Sequence, residues 1–419
     1  MRTKLLSELS TNISSGLTPL RSNAEFWENG TIPWLKTEQL GEKYIYETNE
    51  HISEAVLEKT SIKLFPENSL SIAMYGEGKT RGNLSILKKA MATNQACCNV
   101  AIDPDKADFE YVYYFLKTQY DELRNLSSGV RKNLNSNDIK NYPIRLPENL
   151  DSQKKIANVL KALDKKIELN NRINTELEAM AKTLYDYWFV QFDFPDPHGK
   201  PYKTSGGKMV YNETLKREIP EGWEVFPLSK HVFCNKKKLG KNHDYKWLNY
   251  LDTANLTNNI VGTIQKLDVA VDVIPSRANM LVNNNDILYS TVRPNQLHYG
   301  IIKDPIDNMV ASTGFSVLSH KNNSDLNVFF YLHLTSTHNT NRLIKISESS
   351  KSSYPSISPD DILNIAVAIP SSGEMLAQFC GLLNPIFEKI SENQKENNEL
   401  ETLRDWLLPM LMNGQVTVK

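Results

Sequence analysis

The chain is written twice, and any fold it adopts must accommodate two copies of one module. Asp138–Pro147, DIKNYPIRLP, returns 223 residues later as Asp361–Pro370, DILNIAVAIP. The same offset pairs Ile156 with Phe379, Leu160 with Leu383, Asn170 with Asn393, Asn174 with Asn397 and Leu184 with Leu407. Upstream the offset contracts to 217, where Glu110–Thr118 meets Asn327–Thr335 and Asn68–Gly76 meets Asn285–Arg293. Further upstream, Trp34 and Leu35 align with Trp247 and Leu248 at an offset of 213. Unequal loops between matched strands produce such drift.

The repeat predicts an α+β chain of two pseudo-symmetric, β-rich globular domains, each followed by a long helix. The expected boundaries are 1–150 for the first globular domain and 151–191 for its helix. Residues 192–219 follow as a linker, then 220–371 and 372–413 repeat the pair. The stretch from Phe192 to Trp223 is dense in Pro and Gly, which predicts an extended connection rather than a packed element.

Each helix carries an uninterrupted heptad stripe. The first runs through Ile156, Leu160, Leu163, Ile167, Asn170, Asn174, Leu177, Ala181, Leu184 and Trp188. The second includes Ile386, Ile390, Asn393, Asn397 and Leu400. A polar seam residue fixes register at a cost in stability, so the matched asparagines suggest that the two helices face each other. The other arrangement has each helix packed on its own domain with the asparagines near solvent. At 1.5 Å per residue the segment Ser152–Phe189 would span roughly 55 Å, longer than one turn of B-DNA at about 34–36 Å. A rigid spacer of that length could hold two reading heads over separated half-sites.

Two loop regions recur in both halves with polar and basic side chains. The first offers Tyr75, Lys79, Arg81 and Asn83, and its counterpart offers Arg293, Asn295 and Gln296. Arg, Asn and Gln make the bidentate contacts that read guanine and adenine edges. The second region supplies Arg131, Lys132 and Asn133 in one half and Lys351, Ser352 and Tyr354 in the other. Such groups suit phosphate contacts that position a duplex. Ordinary solvated loops would show the same composition; recurrence at matched places is what separates them from that background. The near balance of 48 Lys and Arg against 49 Asp and Glu argues mildly against a nucleic-acid binder, though net charge says nothing of its distribution.

Catalytic constellations do not emerge. Ala73, Gly78, Lys79 and Thr80 fit a relaxed phosphate loop, but no helix is expected after them to hold phosphates. Glu67, Glu77 and Lys79 loosely mimic a magnesium-dependent nuclease, with no echo in the second half. His333 and His338 lack helical zinc spacing and read as surface or strand-end residues. No metal ligand set is expected. Cys97, Cys98, Cys234 and Cys380 form no framework, and neither a signal peptide nor an apolar membrane span is evident, which predicts a reduced cytoplasmic protein.

The residues between the repeats are the most distinctive. Phe192-Asp193-Phe194-Pro195, Gly206-Gly207-Lys208-Met209-Val210 and Ile219-Pro220-Glu221-Gly222-Trp223, with Gln153-Lys154-Lys155-Ile156-Ala157 opening the first helix, resemble the specificity subunits of type I restriction–modification systems over nearly the whole chain. The resemblance implies two target-recognition domains reading a split, asymmetric site in double-stranded DNA, with the two helices packed as an antiparallel coiled coil that sets the gap. It implies two methyltransferase subunits as partners, which carry S-adenosylmethionine and methylate adenine N6. Two restriction–translocase subunits that use ATP and magnesium can join them. No cofactor is expected on this chain, and the complex is expected to bind DNA with steep salt dependence. Leu6 matches Leu228, so no counterpart of Ile219–Trp223 precedes it, a departure that bears on how the termini close the ring. Three other readings stay open: a partner that fuses methyltransferase and nuclease, a protein-only coiled-coil adaptor, and the nuclease above.

Overall fold

Short, mostly apolar runs between turn residues become central strands, buried on both faces even where they carry a serine. Leu70–Ala73 and Leu84–Leu87 in the first half, and Ile287–Ser290 in the second, are buried throughout. The computed structural model describes residues 1–76, 80–126, 133–240, 243–349 and 354–418. Its contacts divide the chain into two compact units, Met1–Lys166 with Glu399–Lys419, and Ile167–Asn398. Each long helix therefore contributes residues to both units.

In the first unit a five-stranded sheet runs in the order Ser10–Ser15, Cys97–Ile102, Leu70–Ala73, Leu84–Leu87, Tyr44–Ile45. A smaller sheet orders Glu50–Ile52, Ile32–Leu35, Ala92–Thr93. The second unit repeats the plan with Val232–Cys234, Phe315–His320, Ile287–Ser290, Tyr299–Ile301, and with Gln265–Asp268, Trp247–Leu251, Met309–Ser312, Ala278–Leu281. Arg2–Leu5 pairs antiparallel with Pro143–Leu146, as Trp223–Pro227 does with Ala366–Pro370.

The repetition extends to single side chains. Asn68 and Asn285 both adopt positive φ, 68° and 67°, a conformation that asparagine tolerates better than most residues. Each side-chain oxygen accepts from a lysine of the strand pair beyond it, Lys88 at 2.7 Å and Lys303 at 2.6 Å. One expected alignment is corrected. Trp34 and Leu35 lie opposite Ala92 and Thr93, whereas Tyr250 and Leu251 lie opposite Val310 and Ala311. Ladder register thus makes Trp34 the counterpart of buried Tyr250, not of Trp247, which is 41% exposed.

The central helix spans Leu150–Tyr185 and the distal helix Gly373–Met412, two starts that again differ by 223. Within the second unit the two helices lie antiparallel, and the seam asparagines bond across it. Asn170 donates to Asn397 at 2.9 Å, and Asn393 donates to Asn174 at 2.8 Å. Because Asn393 and Asn397 are the repeat counterparts of Asn170 and Asn174, both contacts obey one local twofold rule, as an isologous interface does. Asn170 is 1% exposed and its amide nitrogen also donates to Glu396 at 2.8 Å, so an apolar residue at position 397 would leave one of two buried donors unpaired. Within the first unit the same antiparallel pairing brings Asp164 to Arg404 at 3.2 Å.

Each helix also packs on its own globular domain, but Asn170, Asn393 and Asn397 are buried in the seam rather than near solvent, as the other arrangement would have them. In the first unit Gln153, fully buried, accepts from the Asp108 amide and donates to the Pro147 carbonyl, both at 2.9 Å. In the second, Asn259 donates to Glu178 of the central helix at 3.1 Å, and its carbonyl accepts from Gln394 of the distal helix at 2.8 Å.

The expected linker is a packed element, a second correction. Phe194 stacks on Tyr202 and Trp223 with ring centroids 4.7 and 5.4 Å away, and Phe192 meets Trp223 edge-on at 5.4 Å. Met209–Asn212 and Arg217–Pro220 form a hairpin. Asp193 accepts from the Thr204 amide and hydroxyl, each at 2.7 Å. Pro and Gly mark its turns, while the aromatic rings supply the burial that a linker lacks. His333 and His338 sit on the helices Asn327–Leu334 and Thr337–Glu348 rather than at strand ends. His333 bridges the Tyr185 hydroxyl at 2.8 Å and the Ala366 carbonyl at 3.1 Å. No helix among the described residues is long and apolar enough to cross a membrane.

Candidate nucleic-acid interface

In each unit three loops are tied into one corner by equivalent backbone hydrogen bonds. In the first, the Leu134 amide donates to the Met74 carbonyl at 3.2 Å, Met74 to Ala96 at 2.8 Å, and Ala73 to Asn83 at 2.9 Å. In the second, Ile357 donates to Thr291 at 2.9 Å, Thr291 to Gly314 at 2.9 Å, and Ser290 to His298 at 2.8 Å. The two candidate regions of each half, far apart in sequence, therefore meet at the corner. A third loop, around Asn94–Ala96 or Ser312–Gly314, joins them.

The second corner displays its side chains on a constrained turn. Arg293 and Leu297, at φ of 49° and 55°, bracket a single helical turn, Pro294–Gln296. Non-glycine residues in this region cost about 1–2 kcal/mol, and such strain collects at functional sites when surrounding bonds hold it. Here the Arg293 amide donates to the Pro355 carbonyl at 2.9 Å. Arg293, Asn295 and Gln296 are all exposed. Arg293 and Asn295 make no side-chain hydrogen bond among the described residues, so their donors face outward. Gln296 Oε1 lies 3.2 Å from Nε2 of His298, whose Nδ1 is 2.8 Å from the Leu256 carbonyl. Tyr354 flanks the turn with 45% of its surface exposed.

The first corner reaches positive φ with glycines, Gly76 at 141° and Gly82 at 85°. Tyr75 is 39% exposed beside them, and Asn133 is half-buried. Asn83 has another task, because its amide nitrogen donates to the Leu40 carbonyl at 3.0 Å. Its ladder counterpart is His298, which makes the same contact with Leu256, so Asn83 braces the loop. Arg81 is half-buried at the loop's return. Lys79, Arg131, Lys132, Lys351 and Ser352 lie outside the described residues, as do Gly78 and Glu77 of the phosphate-loop and nuclease patterns. The described part of the first pattern continues into the strand Leu84–Leu87 rather than a helix. Glu67 pairs with Lys88 at 3.2 Å.

Sequence reasoning passed over Gln95 and Thr313, which occupy matched places in the third loop, and Arg277, whose carbonyl accepts from the Thr313 amide at 2.8 Å. Arg277 is exposed. Extending the repeat through Asn94–Ala96 would have found the first two. Arg277 has no counterpart signal.

Comparison with known proteins gives a consistent picture. The family model described as the type I restriction modification DNA specificity domain matches residues 3–179 and 220–402, one match per repeat. The MjaIX type I restriction enzyme specificity subunit of Methanocaldococcus jannaschii is 29% identical over 425 residues, covering 97% of this chain and 91% of that protein. The EcoR124I/EcoR124II specificity subunit of Escherichia coli is 27% identical over 43% of this chain and 46% of its own length. The crystal structure of a type I restriction–modification S subunit from M. genitalium superposes with a TM-score of 0.60 at 18% identity, covering 98% of this chain and 95% of that one. That likeness establishes a shared fold.

Proposed function

Because the chain belongs to the type I restriction–modification DNA specificity family, we propose that each of its heads reads one part of a bipartite, asymmetric duplex site on behalf of partner enzymes. The observation that carries this reading is the corner built twice on one backbone plan with different side chains. A common scaffold with divergent tips suits two heads that recognise different sequences.

In this reading the chain performs no chemistry. Its corners present donors to base edges in the major groove, where Arg pairs with guanine and Asn or Gln with adenine. Two methyltransferase subunits bring S-adenosylmethionine and transfer the methyl group to adenine N6. Restriction–translocase subunits, where present, act on unmethylated DNA with ATP and magnesium. The antiparallel helices fix the spacing between half-sites, and the asparagine pairs hold their register.

Arg293→Ala tests the assignment. The alanine keeps the backbone amide that bonds Pro355 and removes only the exposed guanidinium. One bidentate contact is worth about 1–3 kcal/mol of discrimination. The variant complex should therefore methylate its site roughly fivefold to 150-fold less selectively at one base pair of one half-site, with the other half-site unchanged. Methylation rates on duplexes carrying single base substitutions measure this. Unchanged selectivity at every position would remove Arg293 from the reading surface, and indifference of the whole corner would favour a protein-only adaptor.

A further inference from the structure

The run Lys236-Lys237-Lys238 lies outside every loop considered so far. It continues from the strand Val232–Cys234, and backbone bonds on both sides hold it. The Asn235 amide donates to the Val317 carbonyl at 2.8 Å, and the Asn235 side chain accepts from the Val317 amide at 2.9 Å. The Leu281 amide donates to the Lys237 carbonyl at 3.2 Å, and the Leu239 amide donates to the Asn279 carbonyl at 2.8 Å. Three consecutive lysines thus stand on a fixed strip, and all three are exposed.

Their charge is at most partly compensated, since Lys237 acts on the buried Asp286 carboxyl only from beyond ion-pair distance. Some exposed lysines elsewhere face carboxylates, such as Lys89 with Glu47 at 2.6 Å, Lys208 with Glu221 at 2.5 Å and Lys389 with Glu392 at 3.1 Å. None of Lys236, Lys237 and Lys238 makes an ion pair among the described residues. A further cation adjoins them: Phe233, 38% exposed, has the Lys236 ammonium 4.4 Å and the Lys321 ammonium 5.4 Å from its ring centre.

The strip leads to the reading corner. Beyond Leu239, paired with Asn279, the neighbouring strand starts at Ala278, next to Arg277. The Arg277 carbonyl holds the Thr313 amide, and the adjacent Gly314 carbonyl holds the Thr291 amide two residues before Arg293. The first head has no equivalent, since Gly16-Leu17-Thr18-Pro19-Leu20 follows its strand.

We propose that Lys236, Lys237 and Lys238 form a phosphate-gripping strip that holds the backbone of the duplex read by the second head. The assignment rests on the function proposed above and adds a sequence-independent positioning element on one side only. Ammonium groups on flexible stems are suited to phosphate as point charges, and such contacts fix orientation without reading bases. Continuity with the corner favours a duplex over an acidic protein surface.

The test uses the full chain assembled with its methyltransferase partners and a duplex carrying the motif that the assembly methylates. Affinity is measured across roughly 50 to 200 mM salt for the wild type, for Lys236→Gln/Lys237→Gln/Lys238→Gln, and for the corresponding triple arginine variant. Each lost phosphate contact removes about 0.9 from the log–log slope. The glutamine variant should therefore show a slope shallower by about 2.7, with the methylated motif unchanged and the arginine variant close to wild type. A glutamine variant with wild-type slope, or one that no longer assembles with its partners, would overturn the strip. A wild-type assembly that binds no duplex would overturn the function beneath it instead.

Discussion

Replacing Asp164 with alanine is expected to lower the stability of the first unit by about 3–5 kcal/mol, the usual effect of breaking one side of a buried ion pair. Asp164, with 17% of its side chain exposed, accepts from Lys43 at 3.0 Å and Arg404 at 3.2 Å and also holds the Tyr114 hydroxyl. Burial pushes the Lys43 ammonium below its ordinary pKa, and the Asp164 carboxylate is the main opposing influence. Without that carboxylate, a cation with 12% of its side chain exposed loses its counter-charge. Converting both residues, as Lys43→Met/Asp164→Leu, should recover part of the loss, because the Lys43 charge is removed with its partner while Arg404 and the Tyr114 hydroxyl still lose their acceptor. Calorimetric unfolding of the wild type and the two variants measures both effects. Equal losses for the single and double variants would mean that the pair is not coupled.

Trp223→Ala is expected to cost the second unit about 3–5 kcal/mol, as for other large aromatic truncations in cores. Trp223 is 9% exposed and touches Phe189, Phe192 and Phe194 with centroids 5.4 to 5.7 Å apart. Phe189 in turn packs on Phe329 at 4.6 Å and Phe379 at 4.7 Å, so the inter-repeat segment continues the core of its unit. Tyr211, 59% exposed on the hairpin, serves as the control, and its alanine variant should stay within about 0.5 kcal/mol of wild type. A Trp223→Ala protein as stable as that control would return the segment to the status of a loose connection.

That segment also shows where sequence reasoning runs out. Pro and Gly report local backbone geometry, and they correctly marked turns between Phe192 and Trp223. They carry no information about which rings stack across those turns, nor that Phe189, which meets Trp223, packs on Phe329 and Phe379 more than a hundred residues away. The Trp34 alignment failed for a related reason. A matching Trp-Leu pair is a local coincidence, whereas the true counterpart, Tyr250, is defined by its ladder partner Val310. The helices were legible because a heptad stripe is local, and the repeated asparagines added a pairing that one helix alone could not reveal.

At the reading corners, legibility divided along the same line. Arg293, Asn295 and Gln296 were visible because a Pro and polar residues sit between two apolar runs. Asn83 looked equivalent to them in composition, yet its amide is committed to the Leu40 carbonyl 43 residues upstream. The third loop of each corner, with Gln95 or Thr313, has no basic side chain to draw notice and is recruited only by sheet pairing.

The central claim is tested most directly by mapping adenine methylation in a host genome with and without this gene, leaving the methyltransferase gene intact and expressed. The account predicts that one bipartite adenine motif disappears with the gene, which would reveal both half-sites and their gap at once. An unchanged map would contradict it, because the methyltransferase would then find its sites without this reader.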